Sequence, residues 1–271
     1  MKIRMLVVVK AYPVIDQESM NEAVCVAGLS VDERPPRWIR LFPLDFRGLN
    51  VARRFEKYDI IELNAKPSRK DNRPESLTPD LESIRVVDSV PIRNGSWRNR
   101  LDHLESAEVP SMCDLIKRQR LDHTSLGTFR PLKVLGLDVE RQSATFSASQ
   151  LGVLSQPSLL GDRIGDSDRV PLRPLPLKFK YRYLCGAADC GTHRQTIVDW
   201  ELGALFMKLQ KNGEPLVEIE SKIRSKYLDE FAGSDRDLRL VVGTMKRYAN
   251  FIVIGVTSPV AAKQEQSERL F

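Results

Sequence analysis

The sequence predicts an α+β protein in which an N-terminal antiparallel β-sheet or small barrel packs with a C-terminal β-hairpin, two-helix, β-hairpin region. Three observations lead there. Five apolar, strand-like runs fall within about the first ninety residues, joined by loops rather than helices. Helical spacing begins only after Asn94-Gly95. The C-terminal third then returns to strand-like runs on either side of two helical segments.

In chain order, Ile3 to Lys10 forms a first buried strand, ended by the turn at Tyr12-Pro13. Ala23 to Leu29 and Trp38 to Phe42 are separated by the polar, proline-bearing Asp32 to Pro36, which has hairpin character. Tyr58 to Leu63 and Ile84 to Val90 continue the pattern. Trp97, Leu101 and Leu104 mark a short helix with Ser96 as its cap. Met112, Leu115 and Ile116 mark a second, opening at Val109-Pro110-Ser111. Leu132 to Glu140 alternates as a strand, and residues 142–174, rich in Ser, Gly, Asp and Pro, read as a connection.

From Leu177 to Tyr183 apolar and basic residues alternate, so Lys178, Lys180 and Arg182 project together from one face. After a Cys/His turn come Gln195 to Val198 and a helix bearing Leu202, Leu205, Phe206 and Leu209, ended by Asn212-Gly213. A further helix bears Leu216, Ile219, Ile223 and Tyr227, with Pro215 in its first turn. Leu238 to Gly243 and Phe251 to Val256 are spaced to pair as a hairpin. The expected organisation is a β-rich subdomain with two short helices over 1–141, a connection over 142–174, an α+β subdomain over 175–260, and a polar tail over 261–271.

At 271 residues, with 42% hydrophobic and 29% charged residues, the chain can bury a substantial core and falls outside the disordered class. Its N-terminal apolar run is too brief for a signal peptide or a bilayer span, so no membrane association is expected. Four cysteines, Cys25, Cys113, Cys185 and Cys190, are expected as thiols in a cytoplasmic protein. Formal charge is +6, and 27 of the 42 basic residues are arginine, whose planar fork suits phosphate and carboxylate. DNA or RNA is the partner this balance points to.

Cys185, Cys190 and His193 crowd two thiols and an imidazole into nine residues, in the spacing C-x4-C-x2-H. They are candidate ligands of a structural zinc knuckle at the tip of a hairpin. Zinc takes four ligands, so either Asp189, His103, His123 or Cys113 completes the site or the segment is an exposed turn with two incidental thiols. Asp199 and Glu201 follow a strand and open a helix, the usual place for metal-dependent hydrolytic carboxylates. Asp199 is equally suited to cap that helix and Glu201 to its first turn.

Arg37, Trp38, Arg40 and Arg47, followed by Arg53 and Arg54, interleave cations with aromatics including Phe42 and Phe46, the mixture a nucleic-acid platform requires. Asp71 to Ser76 packs polar groups densely enough for a ligand loop, although such runs are commonly turns. Glu220-Ser221-Lys222 matches an E-x-K nuclease fragment but lies within a helical period, so the match is accidental. Phosphate-loop, dinucleotide and nucleophile-elbow motifs are absent.

The runs Val9 to Pro13, Val24 to Gly28, Arg40 to Arg47, Asp71 to Ser76, Asp199 to Glu201 and Val242 to Thr244 resemble a group of uncharacterised bacterial proteins of similar length. The resemblance spans most of the chain and implies one evolutionary unit, without an activity. On its residues the chain is expected to bind nucleic acid through its Arg/aromatic surface, with a structural zinc knuckle. The alternatives are a metal-dependent hydrolase or nuclease using Asp199 and Glu201, and a protein-interaction component.

Overall fold

The computed structural model describes residues 1–16, 21–69, 71–154, 172–245 and 249–261. Seven strands make the N-terminal sheet: β1 (Lys2–Lys10), β2 (Val14–Asp16), β3 (Asn21–Ser30), β4 (Trp38–Leu44), β5 (Asp59–Pro67), β6 (Ser76–Pro79) and β7 (Arg85–Ser89). Their order is β1-β3-β4-β6-β5-β7, and β5 also pairs with β1, so five strands close into a small barrel. The expected antiparallel architecture holds except for the parallel β4–β6 contact. The sequence missed β2 and β6, which are only 3 and 4 residues long and offer too few positions for a period to register.

β1 shows why its apolar run is unbroken. Ile3, Met5 and Val7 fill the barrel, while Leu6, Val8 and Val9 pack outward with Leu126, Val241 and Ile254 of the C-terminal region. A strand covered on both faces needs no polar alternation. Against it, β3 passes so closely that a Cβ on Gly28 would lie 2.1 Å from the Leu6 carbonyl oxygen.

α1 (Arg98–Glu105) follows, with Trp97 in the cap position; Ser96, the predicted cap, accepts the Arg98 N–H through Oγ at 3.2 Å. α2 (Met112–Asp122) is capped by Ser111, whose Oγ accepts the Asp114 N–H. Then come β8 (Leu126–Phe129), β9 (Lys133–Arg141), α3 (Ala148–Leu154), β10 (Leu177–Leu184), β11 (His193–Thr196), α4 (Trp200–Lys211) and α5 (Leu216–Arg224). α5 runs into a π-helical turn over Ser225–Glu230. β12 (Arg239–Thr244) and β13 (Phe251–Thr257) form the expected closing hairpin. Glu220 and Lys222 lie on α5, as their helical period requires.

The C-terminal strands form two three-stranded sheets, β11-β10-β9 and β13-β12-β8. Here the structure departs from a subdomain boundary at 141. β9 pairs with β10 and β8 with β12, so α2, β8 and β9 belong with the C-terminal layer. The expected connection contains α3, and 155–171 lie outside the described residues, as does 262–271 of the expected tail. Phe179, Tyr181, Tyr183, Phe206, Ile219 and Val253 centre the C-terminal core.

The two halves meet in the backbone itself. Tyr12 donates its N–H to the Val198 carbonyl at 2.7 Å, and Ala11 bridges Asp199. On α4, Gly203 lies so close that a Cβ there would meet the Tyr12 ring at 1.9 Å. These contacts set the start of α4 against the end of β1.

Candidate functional site

The β10–β11 hairpin closes with Tyr183 opposite His193, leaving Cys185 and Cys190 in the loop between them.

 
Cys185 Sγ lies 3.2 Å from Cys190 Sγ, and His193 Nε2 lies 3.3 Å and 3.0 Å from the two sulfurs. The fourth member comes from α2: Cys113 Sγ is 3.7 Å from Cys185 Sγ and 3.6 Å from His193 Nε2. All four ligand atoms fall within 4.8 Å of one another. Tetrahedral zinc, with Zn–S near 2.3 Å and Zn–N near 2.0–2.1 Å, requires edges of roughly 3.8 Å between sulfurs and roughly 3.5 Å from sulfur to nitrogen. Three edges, Cys113–Cys185, Cys113–His193 and Cys185–His193, lie within about 0.2 Å of that shape, and Cys190 sits about half an ångström too close to Cys185 and His193, so the cluster could hold a metal ion. Asp189, His103 and His123, the other candidates for the fourth position, lie outside this group.

Neighbouring side chains fix the ligands. The Tyr183 ring stacks on the His193 imidazole with centroids 5.2 Å apart. Its hydroxyl donates to Gln195 Oε1 at 2.6 Å, and Gln195 Nε2 donates to Met112 Sδ at 3.4 Å, next to Cys113. The thiols are unequal. Burial pushes Cys113 up to about 12, with Cys190 and Cys185 adding to the rise. Burial acts the same way on Cys185, but hydrogen bonds from the Ala187 backbone, Cys190 and His193 outweigh it and bring that thiol to about 6. A bound cation would favour the deprotonated form of every ligand in the cluster.

The second assembly lies between the two halves. Asp199 caps α4 through Oδ1, which accepts the Glu201 N–H at 2.7 Å, while Oδ2 accepts the Val256 N–H at 2.7 Å. The Asp199 and Glu201 carboxyls also share a hydrogen bond. Lys57, just before β5, reaches Glu201 Oε1 with Nζ at 3.0 Å. Burial, the largest influence, pushes Asp199 well above the usual carboxylate range, with Lys57 opposing the rise and Glu201 adding to it. Burial raises Glu201 too, but the Asp199 hydrogen bond and Lys57 outweigh it and hold Glu201 low. The two carboxyls are thus pushed in opposite directions, Asp199 up and Glu201 down, beside Lys57, whose charged form burial opposes and the two acids favour.

These groups line a cleft of about 1070 Å³ between the barrel side and the C-terminal layer. Tyr58, Trp97, Arg98 and Arg100 line it from one side, Tyr227, Phe231 and Arg236 from the other. Tyr58 and Trp97 meet edge to face with centroids 5.7 Å apart, and the Arg100 guanidinium lies 4.1 Å from the Tyr58 centroid. The rim cations are partnered: Arg98 with Asp102 and Glu105, Arg236 with Glu230.

A family model described as a domain of unknown function (DUF8757) matches residues 107–271, and another, also a domain of unknown function (DUF8758), matches 1–106. The chain belongs to the DUF8757 family. A search of curated proteins gives no match. The break at 106/107 follows the strand pairing, since α2, β8 and β9 fall in the DUF8757 region. All four cluster residues, Asp199 and Glu201 lie in the DUF8757 region, whereas Glu56, Lys57, Trp97, Arg100 and Glu105 of the cleft lie in the DUF8758 region. The cleft is thus built from both.

The proposed nucleic-acid residues are dispersed and mostly engaged. Arg40, expected at the surface, is 3% exposed; it donates to Ser125 O and Oγ at 2.9 Å and to Thr244 O at 3.2 Å. Phe46 is buried against Phe55 and Trp200. Arg37 pairs with Glu33, Arg47 with Glu22 and Arg53 with Glu82, while Arg54 donates to the Leu49 and Arg47 carbonyls. Trp38 is half-buried and lines, with Arg37 and Arg118, a second hollow of about 530 Å³. On β10, Lys178, Lys180 and Arg182 do share a face, as expected. However, β9 sets Glu140 opposite Lys178 and Asp138 opposite Lys180 in the register. Lys180 bonds Glu140 at 2.6 Å and Arg182 bonds Asp138 at 2.9 Å, so acids answer the stripe.

The Asp71–Ser76 loop turns its polar groups inward. Asp71 accepts from Arg73 Nε and Nη2 and from Ser76 Oγ, while Glu75 accepts from the Ser125 N–H, the Ser125 hydroxyl and the Leu126 N–H. It seals the seam between the two regions. Sequence reasoning missed Lys57, which carried no motif. It also passed over Trp97, Arg98 and Arg100, where the same interleaving of cation and ring that drew attention to residues 37–54 recurs.

Proposed function

We propose that this protein is a metal-dependent hydrolase acting on nucleic acid, with Asp199 and Glu201 as its catalytic carboxylates, and that zinc occupies the Cys113, Cys185, Cys190 and His193 cluster as a structural ion. The observation that carries the first part is the meeting of two carboxyls beside Lys57 in the cleft between the two regions. Magnesium is commonly held by one or two carboxylates plus substrate phosphates, so two acids suffice. The ion would polarise a phosphoryl oxygen and lower the pKa of an attacking water. Lys57 would keep positive charge next to the phosphate, and Arg98 and Trp97 at the rim supply a phosphate contact and a stacking ring.

The net charge of +6 and the arginine bias favour a nucleic-acid substrate over a neutral one. The cleft replaces the Arg37–Arg54 surface as the binding site because it gathers cations, rings and the two carboxyls in one recess, whereas Arg40 and Phe46 of that surface are buried. Zinc is favoured by the Cys3His donor set, and four protein ligands leave no open position for catalysis. The four free thiols favour a cytoplasmic setting. No helix among the described residues is long and apolar enough to cross a membrane.

Incubation of labelled DNA and RNA with Mg²⁺ or Mn²⁺ tests the hydrolase. Cleavage that is lost in Glu201→Gln at unchanged melting temperature supports it. Tight, salt-dependent binding without cleavage leaves a binding protein only, and neither binding nor cleavage removes nucleic acid as the substrate.

A further inference from the structure

The depth of the cleft bears on what kind of strand can reach its acids. Asp199 is 1% exposed and Tyr227 2%, whereas the Arg98 side chain at the rim is 68% exposed. The exposed turn Asn94-Gly95-Ser96 also lines the cleft, with Asn94 and Gly95 both at positive φ. The recess therefore runs from the Glu201 side chain, 50% exposed, past this turn to the buried Asp199, and a phosphate must enter it to meet both carboxyls.

Two aromatic rings lining the cleft are half-buried rather than sealed, Trp97 from the DUF8758 region and Phe231 from the DUF8757 region, each with a cation over the ring, Arg100 5.0 Å and Lys226 4.9 Å from the respective centroids, which leaves the opposite side for a base. Tyr58 and Tyr227, which also line it, are 4% and 2% exposed and offer no open face. Unstacked bases lie against such rings for about 1–3 kcal/mol each, whatever their identity. A base within a duplex has both faces stacked on its neighbours and cannot use them. A duplex is also stiff over roughly 150 base pairs, so it cannot bend locally into a recess at little cost.

Resting on the hydrolase proposal, we infer that the substrate is single-stranded: its backbone threads the cleft between the two regions while its bases stack on Trp97 and Phe231. In the reaction, water adds its oxygen to phosphorus, the P–O bond to the leaving sugar oxygen breaks, and one proton of the water ends on that oxygen. The electrons of the broken bond leave with the sugar oxygen, and no oxidant or reductant is needed.

The experiment uses the full-length chain and one labelled 20-mer, single-stranded or annealed to its complement. Fluorescence anisotropy in Ca²⁺ reads binding, and gel analysis in Mn²⁺ reads cleavage. The expected result is at least about tenfold tighter binding and faster cleavage of the single strand, a tenfold ratio being 1.4 kcal/mol and so within the stacking range. Trp97→Ala should weaken single-strand binding by the folded protein roughly tenfold, and Trp97→Phe should restore most of it. Equal treatment of both substrates, or no effect of Trp97→Ala, overturns the single-strand inference and leaves the hydrolase standing. Single-strand binding preference without cleavage sinks the hydrolase and keeps the strand preference.

Discussion

Cys113 Sγ lies 3.7 Å from Cys185 Sγ although 72 residues separate the two in the chain. That contact ties the first turn of α2 to the β10–β11 hairpin and turns three local ligands into four. Protein purified without chelator should carry one zinc per chain by elemental analysis. Cys113→Ser should lose it, while His103→Ala, His123→Ala and Asp189→Asn should keep it. A ligand present at about 1,000 times its dissociation constant stabilises by about 4 kcal/mol, so strong chelation should lower Tm by roughly 10 °C. Chelation that leaves Tm unmoved would deny the ion a structural role.

Asp199 and Glu201 should separate stability from chemistry. Asp199→Ala removes the α4 cap, worth about 1 kcal/mol, and strands the buried Val256 N–H, costing about 1–3 kcal/mol more. Urea unfolding should show that loss. Glu201→Gln keeps the helix and should change cleavage instead, by about 100-fold or more. Because burial raises the Asp199 pKa, a metal must displace a proton to bind it. Metal-dependent cleavage should therefore increase with pH through that raised titration, and a pH-independent rate would remove Asp199 from the metal site.

Arg40 should behave as a core residue. Arg40→Met removes three buried hydrogen bonds to Ser125 and Thr244, although the Thr244 N–H still reaches Ser125 O and Arg73 still reaches Thr244 O, a cost of about 2–4 kcal/mol in unfolding free energy. Nucleic-acid affinity of the folded variant should stay at wild type, as should that of Lys180→Gln/Arg182→Gln, whose cations are matched by Glu140 and Asp138. Arg98→Ala should weaken binding and reduce the salt slope by about 1. A large affinity loss in the β10 variant and none in Arg98→Ala would return the site to the sheet face.

Asp71 gives a pH dependence of known sign. Burial opposes its ionisation, but hydrogen bonds from Arg73 and Ser76 prevail and set its folded pKa below the 3.8 of the unfolded chain. Its ionised form is thus favoured by folding. The stability it contributes is complete above pH 3.8 and is lost as pH falls through the lower folded value. The Tm gap between wild type and Asp71→Asn should be widest near neutrality and close toward pH 2; a gap independent of pH would contradict this assignment.

What the sequence determined by itself is whatever depends on neighbours along the chain. The β10 alternation, the Asp199 cap, the Asn212-Gly213 stop, the closing hairpin and the Cys185/Cys190/His193 turn each follow from a period or a local spacing. Tertiary structure alone decided the rest, because it depends on which distant surfaces are covered. It selected Cys113 among four candidate ligands, brought Lys57 to Glu201 across 144 positions, paired the β10 cations with the acids of β9, and buried Arg40. A one-dimensional pattern states which side of an element is apolar; only packing and strand register determine which element lies against that side, and hence whether an outward charge meets solvent or an opposite charge.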